Sequence, residues 1–296
     1  MRQVVVRDEL RVEEAPRPEP AEGELLVEVG AIGVTLPVVR KPQGTPGGEV
    51  AGRVVAVGPD VTTVQVGQHV TGLAFTGAYA EFALVRADMA VPVPDGVDDV
   101  TAVAVVRSGQ VALSALRAAP LHAGESVVVT AAAGGVGHLA VQLATVLGAS
   151  RVVGAVSTDA KAAFLRSLGV SEVVRYDEPW GEPVDVVLDG VGGSVQATGV
   201  SSLAPLGRLV SYNATGAMVD VNELRFRGRT IVGFAMPHLV AGRPDVYKRQ
   251  QTELWDLCLS GSLRPAIHGT FSLDQATEAH RIILARENLG KVVLVP

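Results

Sequence analysis

Apolar residues fall into two textures along this chain. Up to residue 106 they come as short runs, at 4–6, 25–29, 50–57, 69–74 and 79–85. Clusters of Gly, Pro and Asp separate these runs, at 40–48, 58–60 and 92–96. Runs of this length between turn formers read as strands, and their regular spacing predicts a barrel or an irregular antiparallel body. From 98 to 119 the chain is rich in Ala, Val and Leu at helical spacing, and beyond Ser126 strands alternate with helices. Predicted strands are 127–130, 151–156, 172–175, 184–189, 208–212 and 230–234; predicted helices are 137–147, 160–168 and 194–203. That alternation predicts an α/β domain with a doubly wound parallel sheet. A helix at 245–259 follows, then a strand at 266–271, a helix at 273–286 and a strand at 291–295. The mixed tail is expected to rejoin the first body, which gives predicted domains of 1–106, 107–260 and 261–296.

One stretch carries the sharpest chemistry. Val127-Val128-Val129 reads as a buried strand, Ala131-Ala132-Ala133-Gly134-Gly135-Val136-Gly137 as a tight turn, and Leu139, Leu143 and Leu147 as a helix. Strand, small-residue turn and helix N-terminus together form a site for a pyrophosphate, because unpaired N–H groups and the helix dipole both favour an anion there. The small residues before Val136, among them Ala133, Gly134 and Gly135, let a ligand approach the backbone, and Gly137 lets the helix lie close to the strand. The first Gly of the usual Gly-x-Gly-x-x-Gly is Ala132 here, so an ordinary βα turn without a ligand stays open. A membrane span is disfavoured, because three glycines interrupt the run and His138 and Gln142 lie on its helix.

Composition narrows the class. At 296 residues two domains are expected, and 48% hydrophobic content with only 4% aromatics predicts cores of Val, Leu and Ala. The net charge of −6 gives no long-range attraction to nucleic acid or anionic membrane. Cys258 is the only cysteine, so no intrachain disulfide and no Cys-rich zinc site is expected. No apolar signal region is visible in the first sixteen residues, and a soluble cytoplasmic protein is the expectation.

The strand after the turn helix bears on the nucleotide. A dinucleotide site that prefers NAD ends this strand in an acid that binds the ribose. Here Val156 stands at that place, followed by the hydroxyls of Ser157 and Thr158 and by Lys161. These groups suit a 2′-phosphate, so NADPH is the expected cofactor. Ser157 could equally cap the next helix, with Lys161 on a solvated face, and Asp159 would oppose a phosphate if it turned inward.

Several motifs resemble the medium-chain dehydrogenase/reductase superfamily, and its zinc-independent quinone oxidoreductase branch in particular. They are VEVGAIGVTLPVV at 27–39, PGGEVAGRVVAVGPDVTTVQVGQHVTG at 46–72, GAYAEFALV at 77–85, the AAAGGVG turn, KAAFLRSLGVSEVVRY at 161–176, DVVLDGVGG at 185–193 and the terminal GKVVLVP. The resemblance implies a mainly-β GroES-like catalytic domain, an NADP-binding Rossmann domain and a cleft between them. It also implies that Ser157, Lys161 and Tyr176 hold the 2′-phosphate, with Arg175 beside them. Thr35 then faces the nicotinamide, Asn213 lies near its ribose, and Phe234, Asn288 and Lys291 line the nicotinamide or adenosine side. By the same resemblance, the positions of the zinc ligands hold Thr35, Gly48 and a residue close to Arg107. None of these is a soft or imidazole ligand, and catalytic zinc needs three protein ligands.

Without a metal, the chemistry open to such a site is hydride transfer to an acceptor that is already electrophilic, a quinone or an α,β-unsaturated carbonyl. Thr35, Tyr79 and Asn213 are the candidate orienting groups. Each has a structural alternative, respectively a turn hydroxyl, a half-buried core ring and a turn residue. Lys291 could equally be a plain strand-start residue. A dedicated enoyl or enone reductase and a non-catalytic NADPH-binding protein remain as alternatives. A homodimer through an edge strand near 230–234 is expected by resemblance.

Overall fold

The structure, a computed structural model, describes residues 1–212, 215 and 218–296. Two compact units emerge, one from Met1–Arg107 with Pro265–Pro296 and the other from Ser108–Arg264.

The first unit begins with β1 (Arg2–Val6) and β2 (Leu10–Glu14), an antiparallel ribbon. The apolar pattern does not predict β2, since Arg11, Glu13 and Glu14 interrupt it and it is nowhere fully buried. Then come β3 (Glu24–Val34), α1 (Leu36–Arg40), β4 (Pro46–Val57), β5 (His69–Thr76), β6 (Phe82–Arg86), β7 (Val91–Pro92) and α2 (Asp99–Val105). The run at 79–85 is strand only from Phe82. Before it, Tyr79 turns its N–H onto the Pro46 carbonyl, and the chain is irregular there.

The second unit contains α3 (Ser108–Ala118), β8 (Ser126–Val129), α4 (Gly137–Val146), β9 (Arg151–Val156), α5 (Asp159–Ser167) and β10 (Glu172–Arg175). It continues with β11 (Val184–Asp189), α6 (Gly193–Ser201), β12 (Leu203–Ser211), α7 (Val221–Arg227), β13 (Thr230–Gly233), α8 (Met236–Gly242) and α9 (Pro244–Leu259). The helix expected over 98–119 is therefore two helices, α2 and α3. Its stretch Asp99–Ala118 has the length and apolarity to cross a membrane, but 72% of its most apolar window is buried in the protein, as in a core helix.

The tail supplies β14 (Ile267–Ser272), a capped single turn over Leu273–Gln275, α10 (Ala276–Leu284) and β15 (Lys291–Val295) to the first unit. There the sheet runs β14-β15-β3-β4-β5-β7, with β6 also on β3. β15 runs antiparallel to β3 and is itself buried over Lys291–Leu294.

The sheet of the second unit is wholly parallel, in the order β10-β9-β8-β11-β12-β13. Successive strands leave β8 first to one side and then to the other, so the order reverses between β8 and β11. Ligands of such sheets bind beyond the carboxyl ends of the strands at that reversal. Val127, Val128 and Val129 are fully buried, and so are Leu139, Ala140, Leu143 and Ala144 of α4, which packs against β8, β9 and α3. This explains the uninterrupted apolar run and the helical spacing that follows it.

Candidate active site

In the second unit the turn after β8 is held from several directions. Ala131 adopts the left-handed region at φ 49°, and its N–H donates to the Tyr176 hydroxyl at 3.0 Å. Its carbonyl accepts the N–H of Gly134 at 2.9 Å. A Cβ on Gly137 would lie 2.2 Å from that carbonyl and 2.6 Å from the Ala132 Cα, both backbone, so only glycine lets α4 start here. Val136, the N-cap of α4, offers no side-chain cap. A helix that begins with small residues and without a side-chain acceptor leaves donors at its start for an anion, although here the His138 N–H already goes to the Gly134 carbonyl at 3.1 Å. His138 is buried, with Nδ1 2.8 Å from the Gly134 carbonyl, and does not face solvent.

Beneath the turn, the fully buried Asp189 ends β11. Its Oδ1 accepts the Thr130 hydroxyl at 3.0 Å and the N–H groups of Val191 and Gly192 at 3.0 and 3.2 Å. The Thr130 hydroxyl oxygen in turn accepts the Gly190 N–H at 2.9 Å. This network clamps the carboxyl ends of β8 and β11 together at the sheet reversal. Burial, reinforced by the Asp189 carboxylate, pushes the Tyr212 phenol well above its usual range and keeps it neutral.

Past the end of β9, Thr158 caps α5 by accepting the Lys161 N–H, and Lys161 Nζ lies 3.1 Å from the Ser157 hydroxyl. The cap expected of Ser157 is made instead by Thr158, one residue further on, which leaves the Ser157 hydroxyl and the Lys161 ammonium together in an exposed group. Asp159 turns to Arg175 Nη1 at 3.1 Å, and Asp177 takes Arg175 Nε at 3.2 Å. Arg175 is thus held between two carboxylates. The Tyr176 hydroxyl reaches the glycine turn rather than standing as an isolated surface group. These residues fit a phosphorylated dinucleotide: an uncapped helix end for the pyrophosphate, then a hydroxyl and a cation beyond a strand whose final residue, Val156, cannot bind a ribose. Phe234 is half-buried and donates its N–H to the Ser211 carbonyl at 2.8 Å. Asn213 lies outside the described residues.

In the first unit, Thr35 stands in extended backbone at the start of α1, and its Oγ1 is buried without a hydrogen-bond partner among the described residues. Asn288 closes a tail turn by donating to the Gly290 carbonyl at 2.9 Å. Lys291 is buried, its ammonium 2.9 Å from Oε2 of the fully buried Glu49. Its charge is thereby engaged inside this unit.

Tyr79, expected as an orienting group, is a core residue. It is fully buried, with its hydroxyl 3.1 Å from His280 Nε2 and its ring edge-on to the imidazole. Burial holds the phenol far above its usual range and pushes His280 down to about 4, so both are neutral. The tight turn at 77–80 carries Tyr79 inward, which alternation along an assumed strand could not reveal. The motifs do not single out Glu49, and Arg107 enters only as the neighbour of a missing zinc-ligand position. A carboxylate inside the apolar run of β4 was the available signal for more. Among the described residues, no group of three or more His, Cys, Asp or Glu could hold a metal ion.

A family model for the alcohol dehydrogenase GroES-like domain matches residues 21–95, and one for zinc-binding dehydrogenases matches 135–253. The chain is 34% identical to a quinone oxidoreductase of Pseudomonas aeruginosa over 94% of its own length and 93% of that protein's. It is 32% identical to a 2-haloacrylate reductase of a Burkholderia species, over 88% of this chain and 83% of that one. A mycobacterial protein solved in complex with NADPH superposes over the full length of both chains, with TM-score 0.89 and 32% identity. The chain belongs to the medium-chain dehydrogenase/reductase superfamily. Within it, the zinc-independent, quinone oxidoreductase-like branch is its place.

Proposed function

We propose that this protein is an NADPH-dependent, zinc-independent reductase of quinones or of C=C bonds activated by a carbonyl. The observation that carries the reading is the group beyond β9, where Val156 replaces a ribose-binding acid and Lys161 and Ser157 stand 3.1 Å apart. Likeness to a quinone oxidoreductase, a 2-haloacrylate reductase and an NADPH complex supports the same chemistry. NADPH, when bound, supplies a hydride.

The chain's residues do the rest. Ala133, Gly135, Val136 and Gly137 present backbone N–H groups to the pyrophosphate, and Gly134, whose own N–H goes to the Ala131 carbonyl, leaves room for its approach. Ser157, Thr158, Lys161 and Tyr176 hold the adenosine 2′-phosphate and its ribose. Phe234 and Asn288 flank the nucleotide, and Asn213 is placed by the motif alone. Thr35, whose buried hydroxyl lacks a partner, donates to the acceptor's carbonyl oxygen and stabilises the charge that develops there. A proton from water completes the reduction.

The second unit also leaves β13 at the sheet edge, with Leu206, Val221 and Phe226 exposed on neighbouring segments. An open strand edge beside exposed apolar side chains supports a homodimer paired through β13. We place the protein in the cytoplasm, where an NADPH-driven reductase finds its reductant.

Mixing the protein with NADPH and panels of quinones and enones, and following the loss of NADPH absorbance, tests the reading. Oxidation with either class supports it, and turnover of enones alone makes it a dedicated enone reductase. Tight NADPH binding without oxidation by any acceptor overturns it.

A further inference from the structure

Three charges converge in the first unit from three separate segments of the chain. Glu49 of β4 is fully buried, and Lys291 at the start of β15 meets its Oε2 at 2.9 Å. Arg107, two residues beyond α2, brings Nη1 to 3.6 Å from Oε1 and keeps 39% of its side chain exposed. Gly33 makes room for them: a Cβ there would stand 2.3 Å from Oε2 of Glu49 and 2.9 Å from Nζ of Lys291. The β3–β4 register sets Glu49 opposite Gly33, and one further step of the β3–β15 register sets Lys291 opposite Thr35. Gly33 and Thr35, two apart on extended backbone, share a face. The cluster and the unpartnered Thr35 hydroxyl therefore belong to one face of one sheet.

The charges do not balance. Lys291 neutralises the single carboxylate at hydrogen-bond distance, and Oε1 has no hydrogen-bond partner among the described residues. Arg107 is then a surplus cation, tethered loosely to a buried anchor. A guanidinium so placed retains most of its five N–H donors, in a planar fork that matches a carboxylate.

We propose that Arg107 recognises a carboxylate on the substrate, and that the acceptor of this reductase is an anionic α,β-unsaturated acid. This rests on the reading of the protein as a reductase of activated C=C bonds. The hydride adds to the β-carbon, and the C=C π pair moves to the α-carbon and carboxylate. A proton from water then closes the α C–H bond, leaving a saturated carboxylate and oxidised NADP. Arg107 holds the carboxylate and screens its charge, the Glu49–Lys291 pair fixes the guanidinium's approach, and Thr35 donates to a carboxylate oxygen.

The test compares 2-chloroacrylate with its methyl ester, which differ in charge at constant alkene. The wild-type enzyme should favour the acid in kcat/KM. Arg107→Gln should lower kcat/KM for the acid about 10- to 100-fold, mainly through KM, and change the ester by less than about 3-fold. Arg107→Lys should restore part of the loss. As a readout independent of acid turnover, 2-chloropropionate should inhibit quinone or enone reduction by the wild type and inhibit Arg107→Gln at least about 10-fold more weakly. Parallel losses on acid and ester in Arg107→Gln, or turnover of neutral acceptors with neither consumption of the acid nor inhibition by the saturated acid, would overturn this inference alone. Failure to oxidise NADPH with any acceptor would overturn the functional reading beneath it.

Discussion

Lys161 is the side chain on which the choice of nucleotide turns. Its ammonium and the Ser157 hydroxyl form a compact donor pair, while Arg175 is occupied by Asp159 and Asp177. Lys161→Ala should raise the Kd for NADPH roughly 10- to 100-fold and shift NADH by less than about 3-fold, as read from cofactor fluorescence titrations. Equal losses for both would remove the phosphate role. A second residue-scale expectation concerns His280, pushed down to about 4 by burial. The unfolded imidazole titrates near 6.5, so between these values the unfolded chain binds more protons and stability falls as pH drops. His280→Gln should flatten this part of the acid limb, measured by urea midpoints between pH 7 and pH 4. An unchanged slope would show that the proton goes elsewhere. At this scale the sequence was legible wherever neighbours along the chain make the site, as at Ser157-Thr158-Lys161. It was not legible at Tyr79, whose burial depends on a turn, nor at Glu49, which meets Lys291 only through sheet pairing and Arg107 only through the placement of the segment after α2.

Among the elements, the strand–turn–helix of β8 and α4 was readable because three local signals coincide: an apolar run, small residues and helical spacing. The reason for Gly137 is now a distance, 2.2 Å from a prospective Cβ to the Ala131 carbonyl. Backbone on both sides leaves no flexible group to yield. Gly137→Ala should therefore displace α4, destabilise the protein by about 1–3 kcal/mol, and weaken NADPH at the same time. Thermal melts with and without NADPH check this, and a variant that keeps both stability and affinity would contradict the close approach. The strand β2 and the division between α2 and α3 escaped the pattern for opposite reasons. The ribbon strand is too charged to show an apolar rhythm, and the helical spacing of apolar residues runs on across Arg107-Ser108-Gly109-Gln110, the short polar stretch at which the two helices part.

For the whole molecule, the exposed edge at β13 predicts association. Light scattering should give twice the chain mass, and Phe226→Glu combined with Leu206→Glu should return the single-chain mass with NADPH binding retained. A wild-type protein of single mass at all concentrations would refute the dimer. A different consequence follows from β15 lying against β3. A ribosome delivers residues 108–264, a continuous stretch with its own sheet, before it delivers the strand that the first unit lacks. Until then the Ile32–Val34 stretch of β3 lacks its β15 partner and the Glu49 carboxylate lacks its lysine, which arrives as the first residue of that strand. The first-made half of this protein is thus the last to be finished, and its open edge during synthesis is where chaperones or aggregation should find it.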